Sequence, residues 1–210
     1  MTDALSRPRR GRPPKVDRDF PDTRAALIRC GMEILTEQGF MSTGIDTVLK
    51  RVGVPKGSFY HYFDSKEAFG QAVLESYAGY FAQKLDHWFL QEAVAPLQRL
   101  QNFVEDAKAG MVRHRFCRGC LVGNLGQEVA ILPERFRLQL EAILCTWQER
   151  LAQCLRAAQA AGELAAEADC EELAAFFWIG WEGAVLRARL TRDNVPLDVF
   201  IRGFLAGLPR

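Results

Sequence analysis

The chain has 210 residues, of which 49% are hydrophobic, and its 27 Lys and Arg residues nearly balance its 26 Asp and Glu residues. This length accommodates one large domain or a small domain joined to a larger one. The longest apolar run, Ala174 to Trp181, is too short to cross a bilayer, and the Arg-rich start is unlike a secretory signal. We therefore expect a cytoplasmic protein with no membrane partner, whose six cysteines are reduced thiols.

The charge is unevenly distributed along the chain. Residues 1–66 carry 12 basic and 8 acidic side chains, whereas residues 67–210 carry 15 and 18. This asymmetry is typical of a nucleic-acid-facing part on an acidic body. Residues 1–19 hold three prolines and six Lys or Arg residues, which predicts a flexible basic arm. Its Arg-Gly-Arg-Pro run is similar to an AT-hook core, and the arginines expected to enter an A·T-rich minor groove or bind phosphates are Arg9, Arg10 and Arg12.

Hydrophobic periodicity predicts an all-α protein of about nine helices, without strands or internal repeats. A first helix extends from Asp22 to Gly39, and Thr43 with Asp46 forms a predicted capping box for a second helix that ends at Gly53. A short third helix follows, and a long fourth begins at Ser65. The remaining predicted helices span residues 96–115, part of 117–131, 133–161, 169–190 and 196–205.

The second and third helices together predict a helix-turn-helix, because a short turn follows Gly53 and the third helix has barely two turns. Only the first turns of such a helix need to enter the major groove of DNA. Hydroxyl, imidazole and ammonium groups on its outer face suit phosphate oxygens. The residues expected to point outward are Ser58, Tyr60 and His61, and those expected to point back are Phe59, Tyr62 and Phe63. The alternative is a surface hairpin with incidental aromatic residues.

The run from Gly53 through Val-Pro-Lys-Gly-Ser-Phe-Tyr-His-Tyr-Phe-Asp-Ser-Lys to Glu67 resembles the DNA-binding signature of TetR-family transcriptional regulators. The resemblance implies a nucleoid-associated, two-domain helical homodimer that binds a palindromic operator on double-stranded DNA. Residues 20–66 would form the three-helix DNA-binding domain, and residues 67–210 the effector-binding and dimerisation domain. Pro55 departs from the pattern, where many members have Ser. The implied DNA contacts are Thr43, Lys56, Gly57, Ser58, Tyr60, His61 and Lys66.

The Gly-rich stretch 114–128 interrupts the helical pattern where pockets of this family commonly open. Gly119-Cys120-Leu121 with Trp181-Glu182-Gly183 resembles the acrylate-responsive repressors of the family, which implies repression released by acrylate or a related three-carbon acid or thioester. Polar groups would orient the ligand, with Arg118 a candidate carboxylate partner, and aromatic side chains would form apolar walls unless they belong to the core. The candidate effector-binding residues are Phe81, Phe103, Phe116, Arg118, Cys120, Asn124, Trp147, Trp178, Trp181 and Glu182.

Cys117 and Cys120 leave other functions open. Zinc needs four ligands, and only His114 lies nearby, so we expect no metal and no cofactor. A thiol-based redox-sensing regulator is an alternative, because neighbouring arginines lower a thiol pKa, and two small residues at a turn are another. We expect no enzymatic activity, because no catalytic carboxylate pair or Ser/His/Asp arrangement is present. A further alternative is an architectural A·T-rich DNA binder that acts through the arm alone.

Overall fold

The computed structural model describes residues 20–210, so the predicted basic arm, with Arg9, Arg10 and Arg12, lies outside the described residues. Within this range the chain forms nine α-helices and no strand, as the periodicity predicted. No described helix is both long and apolar enough to cross a membrane. The helices are α1 (Phe20–Gln38), α2 (Ile45–Val52), α3 (Lys56–Tyr62), α4 (Lys66–Phe89), α5 (Pro96–Arg113), α6 (Leu121–Gln127), α7 (Glu134–Ala160), α8 (Cys170–Thr191) and α9 (Val195–Ala206).

Helices α1 to α3 form a small N-terminal bundle around buried aromatic rings. Phe59 of α3 is fully buried, and its ring centroid lies 5.3 Å from that of Phe63 and 5.3 Å from that of Phe69 on α4. Helix α2 ends at Gly53, whose left-handed backbone (φ 74°) donates its N–H to the carbonyl of Leu49. The turn therefore directs α3 away from α2 while Phe59 anchors it from beneath.

The predicted capping box at the start of α2 is wrong. Gly44 is the N-cap, and no side chain caps the helix. Thr43 is buried and its hydroxyl donates a hydrogen bond of 2.6 Å to the carbonyl of Gly39, so it closes the α1–α2 loop instead. Because this donor is already used inside the fold, the predicted phosphate contact of Thr43 does not fit the structure.

Helix α4 joins the N-terminal bundle to the rest of the chain. The hydroxyl of Ser65 accepts a hydrogen bond from the Ala68 amide and caps the first turn. A Cβ atom on Gly31 would overlap Phe69 and Val73, so α1 and α4 approach closely because residue 31 is glycine. The first turns of α4 thus belong to the N-terminal bundle, and its later turns belong to the C-terminal body.

Helices α4, α5, α7, α8 and α9 enclose the second core. The rings of Phe103, Trp147 and Trp178 are buried in it, and the Trp147 and Trp178 centroids lie 5.2 Å apart. Gly180 lets the ring of Phe200 on α9 lie directly against α8. Short α6 packs between this body and α1, which places it between the two parts of the molecule.

Candidate DNA-binding surface and effector cavity

Helix α3 presents the polar surface that the sequence predicted. Lys56, Tyr60 and His61 are exposed, with 48% of the Tyr60 side chain accessible, whereas Ser58 is half-buried. A Cβ atom on Gly57 would meet nothing within 4 Å, so the backbone is open to an approaching duplex. Pro55 is the N-cap residue, and its fixed φ of −71° directs the chain into the helix. Positively charged and hydroxyl groups therefore line one face of a short helix, as DNA phosphates require.

Lys66, predicted to bind phosphate at the start of α4, is partly engaged inside the protein. Its ammonium lies 4.5 Å from the centroid of the Phe40 ring and 3.4 Å from the carbonyl oxygen of Met41. Burial lowers the pKa of Lys66, and the charges of Glu67 and Glu128 oppose that shift. In this conformation Lys66 stabilises the α1–α2 loop.

A cavity of about 740 Å³ separates α1 from the C-terminal body. Its volume is in the range of sites that hold drug-sized ligands. Helices α1, α4, α5 and α8 and the loop before α6 all contribute to its walls. Six of the ten candidate effector residues line it, namely Phe81, Phe103, Arg118, Cys120, Trp181 and Glu182.

The other four candidates do not line the cavity. Trp147 and Trp178 are core residues beneath Phe81, whose ring centroid lies 4.4 Å from that of Trp147. Phe116 packs against the core from a loop position with φ 57°. Asn124 is hydrogen-bonded to α1 and α8. Sequence periodicity does not separate these roles, because core and cavity aromatics share the same helical spacing.

One end of the cavity holds a polar cluster that includes Tyr77, which the sequence analysis missed. The Cys120 thiol accepts a hydrogen bond from the Gly123 amide and interacts with both Tyr77 and Glu182. Burial raises the pKa of Glu182 to about 7, and the hydrogen bond from Cys120 opposes that shift. Burial, the charge of Glu182 and the hydrogen bond to it hold the pKa of Cys120 well above its usual value. Burial and the nearby Cys120 and Glu182 likewise raise the pKa of Tyr77.

Arg118, predicted to bind a ligand carboxylate, already contacts two carboxylates of α1. Its guanidinium lies 2.7 Å from Glu37 and 3.3 Å from Glu33, and Glu33 also pairs with Arg51 of α2 at 2.8 Å. Arg118 therefore connects the cavity loop to the first two helices of the N-terminal bundle. A ligand carboxylate would have to compete with these partners.

Further contacts join α6 to α1, and join the residue that follows α6 to the α1–α2 loop. The side-chain amide of Asn124 donates to the Thr36 carbonyl at 2.7 Å, and its oxygen accepts from Arg189 of α8 at 2.6 Å. The Glu128 carboxylate accepts the backbone N–H groups of Phe40 and Met41 at 3.0 and 2.9 Å. We call residues 118–128 the linking segment, because it contains Arg118, Asn124 and Glu128, which form these contacts with α1 and the α1–α2 loop.

The two cysteines of the Cys-x-x-Cys pair have different environments. Cys117 is exposed, whereas Cys120 is buried at the N-cap of α6. Since burial disfavours the Cys120 thiolate, the environment counts against a reactive thiol. Among the described residues, no group of three or more His, Cys, Asp or Glu side chains could hold a metal ion.

Comparison with known proteins shows the family of the chain. A model described as "Bacterial regulatory proteins, tetR family" matches residues 27–73, and one described as "Tetracyclin repressor-like, C-terminal domain" matches residues 96–204. The chain is 55% identical to the transcriptional regulator AcuR of Cereibacter sphaeroides, over 94% of this chain and 90% of AcuR. The chain belongs to the TetR family. Its similarity to AcuR is consistent with the predicted subgroup.

Other TetR-family proteins extend the comparison. The chain is 31% identical to the HTH-type transcriptional repressor DhaR of Mycobacterium sp. (strain GP1), over 85% of this chain and 88% of DhaR. The crystal structure of regulatory protein TetR from Rhodobacter sphaeroides is 54% identical and superposes with a TM-score of 0.86, covering 89% of this chain and 98% of that one. The predicted nine-helix TetR-like fold is thus confirmed. This TetR-family member is a transcriptional repressor with a DNA-binding domain, and the relatives are regulators rather than enzymes.

Proposed function

We propose that this TetR-family repressor binds a palindromic operator as a homodimer and is released when a small effector, acrylate or a related short acyl compound, fills the cavity. The observation that carries the proposal is the linking segment. Cys120 at its start belongs to the cavity, and Glu128 at its end binds the α1–α2 loop of the DNA-binding bundle. A ligand that moves one end of this short segment therefore acts on the other end.

The position of the cavity supports a direct effect of the ligand on α1. Arg29, Met32, Glu33 and Thr36 of α1 line the cavity opposite Tyr77 and Phe81 of α4. A ligand that favours a different spacing between α1 and the body shifts the orientation of α3 relative to the partner's α3. Operator affinity then falls by the ratio of the effector affinities for the two conformations.

For DNA binding we propose that Lys56, Gly57, Ser58, Tyr60 and His61 contact the operator, because they occupy the outer side of α3. Basic side chains neutralise phosphates, and the exposed aromatic and imidazole groups donate to phosphate oxygens or base edges. Lys66 joins them if its ammonium leaves Phe40 and Met41. The arm arginines lie outside the described residues and remain proposed minor-groove contacts.

For dimerisation we propose an apolar face of α8 and α9. Exposed large apolar residues recur on α8 at helical spacing, and Gly183 lies on the same face with open space above its Cα atom. Phe177, Gly180 and Ala184 of the same helix are packed within the subunit and do not belong to this face. Two helix-turn-helix units on a twofold axis match the two half-sites of a palindrome. The exposed residues are Phe176, Ile179, Leu186, Leu190, Val195 and Val199.

The effector assignment rests on the subgroup resemblance and on the cavity chemistry. Aromatic walls from Phe103 and Trp181 suit a short acyl chain, and the polar cluster at one end suits its oxygen atoms. The raised pKa of Cys120 favours this assignment over a redox switch at Cys117 and Cys120. A Cys117→Ser/Cys120→Ser variant that loses all effector response while still binding ligand would favour the redox alternative.

Fluorescence anisotropy tests the proposal with a labelled DNA fragment from upstream of the repressor's own gene. We expect two subunits to bind each operator cooperatively, and added acrylate or its thioester to lower operator affinity. Glu182→Ala should shift the effector concentration that releases DNA, without changing operator affinity in the absence of effector. Operator binding that is insensitive to every short acid and thioester tested would remove the effector half of the proposal.

A further inference from the structure

We propose that Glu182 binds the effector as a neutral carboxylic acid, so that this end of the cavity takes an acyl oxygen as a hydrogen-bond acceptor. The inference rests on the proposed function and names the ligand chemistry of the same cavity. An uncharged thioester or ester carbonyl meets this requirement directly. A free acid meets it only when its carboxylate shares the Glu182 proton.

The packing around Glu182 fixes its carboxyl group at the polar end of the cavity. Glu182 belongs to α8 and lines the cavity, and its Oε1 atom is buried without a hydrogen-bond partner. Its Oε2 atom lies so close to Gly123 that a Cβ atom there would overlap it. Only glycine at position 123 leaves room for the carboxyl group. Because the terminal torsion of a glutamate side chain is broad, a small rotation presents Oε1 to a ligand.

The polar groups next to Glu182 already form hydrogen bonds within the protein. The Tyr77 hydroxyl is hydrogen-bonded to the backbone of Leu121 and to the Cys120 thiol. The thiol also forms hydrogen bonds with the Gly123 amide and with Glu182. Each of these contacts is internal to the protein. The unused hydrogen-bonding capacity of the cluster therefore lies on Glu182 Oε1.

The charged groups of the surrounding helices do not compensate Glu182. Lys84 of α4 pairs with Asp106 of α5 at 2.6 Å, and Arg118 pairs with the α1 carboxylates. Arg189, further along α8, binds Asn124. Burial raises the pKa of Glu182 to about 7, and among the described residues the only titratable partner that acts on it is Cys120, whose hydrogen bond opposes the shift. Near neutral pH the Glu182 proton can therefore be donated to a ligand, and no paired cation has to be displaced first.

The protonation state of Glu182 determines which ligands bind. A protonated carboxyl group donates to a carbonyl or carboxylate oxygen, whereas an ionised one is an acceptor only and repels an anion. If only the neutral form binds the acyl oxygen, the apparent affinity follows the neutral fraction. With a Glu182 pKa of about 7, that fraction falls about 30-fold between pH 6 and pH 8.5.

Isothermal titration calorimetry of the full chain without DNA tests the proposal. The probes are propionate and methyl propionate, which are saturated and so do not alkylate Cys120. For the wild type we expect affinity to fall about 30-fold between pH 6 and pH 8.5, with uptake of nearly one proton on binding at pH 8.5. Glu182→Gln keeps a neutral donor at every pH, so its affinity should stay level and its proton uptake should vanish.

Glu171→Gln is the matched control, because Glu171 lies exposed at the start of the same helix. It should reproduce the wild-type pH profile. Tighter binding of the ester at pH 6 assigns the ligand as an uncharged acyl compound, and tighter binding of propionate assigns it as a free acid with a shared proton. A wild-type affinity independent of pH, an unchanged profile in Glu182→Gln, or no binding of either probe at pH 6 would overturn the proposal. The proposed function fails separately, if bound ligand leaves operator affinity unchanged.

Discussion

Glu128 offers the most direct test of the linking segment. Its carboxylate accepts the backbone N–H groups of Phe40 and Met41, and Gly39 leaves room for it against the loop. Glu128→Ala removes the oxygen that accepts both N–H groups while changing no residue of the cavity or of α3. Glu128→Gln keeps an acceptor oxygen of the same reach but removes the negative charge.

The cost of Glu128→Ala follows from the different exposure of the two amides. Met41 is about half exposed, so water replaces the carboxylate at its N–H group. Phe40 is only 2% exposed, so its N–H group loses its acceptor without replacement. A hydrogen bond to a charged group contributes about 1.5–3 kcal/mol, and we expect the free energy of unfolding to fall by about that amount. In a chain of this size, 1 kcal/mol corresponds to about 2–4 °C, so the melting temperature should fall by about 3–12 °C.

Thermal unfolding and operator titrations measure the two consequences of this change. Glu128→Gln should lose about half as much stability as Glu128→Ala, because neutral hydrogen bonds are roughly half as strong as charge-assisted ones. Glu134→Ala, which breaks an exposed pair with Arg137, is the control and should leave the melting temperature nearly unchanged. We also expect saturating effector to lower operator affinity less in Glu128→Ala than in the wild type. A melting temperature and an effector response equal to those of the wild type would refute the role of Glu128.

Three further outcomes are expected. Lys56→Ala should weaken operator binding and reduce the slope of log affinity against log salt by about 0.9, provided that Lys56 neutralises one phosphate, as salt titrations would show. Ile179→Glu should produce monomers in sedimentation analysis, whereas Leu138→Glu, at an exposed apolar site on α7, should not. Because the folded-state pKa of Glu182 is raised from 4.5 to about 7, wild-type stability should fall as pH rises through that interval, by on the order of 3 kcal/mol. Glu182→Gln should abolish that loss in urea titrations, and an equal loss in both proteins would contradict it.

The helices and the outer face of α3 were predictable from sequence because both depend on local rules. Residues within a few turns of one another determine the helical periodicity, the left-handed C-cap at Gly53 and the burial of Phe59. The prediction at Thr43 failed because a threonine hydroxyl can form either of two local hydrogen bonds. It can accept from an amide in the first turn of α2, or it can donate to the Gly39 carbonyl, as it does here. A capping pattern alone does not choose between them.

The cavity was predictable only in part, because its composition depends on contacts between distant elements. Cys120, Trp181 and Glu182 were found through the subgroup resemblance, whereas Tyr77 lies in an ordinary amphipathic stretch of α4 and carries no signal of its own. Arg118 illustrates the opposite error. Its charge suggested a ligand contact, yet Glu33 and Glu37 of α1 occupy it, and that pairing is visible only once α1 and the loop are placed side by side.

The weak helical pattern of the linking segment has a physical counterpart in its structure. Helix α6 has seven residues, and its two internal glycines lower its intrinsic helical stability. Its apolar side chains Leu121, Val122 and Leu125 are buried, and Glu128 at its C-terminal end binds the α1–α2 loop. A rigid, strongly helical connector would resist displacement, and a disordered one would not transmit it. Since a short helix packed in this way moves as a unit, we expect a ligand that engages the Glu182 cluster to change the position of the loop before α2 without unfolding either part of the molecule.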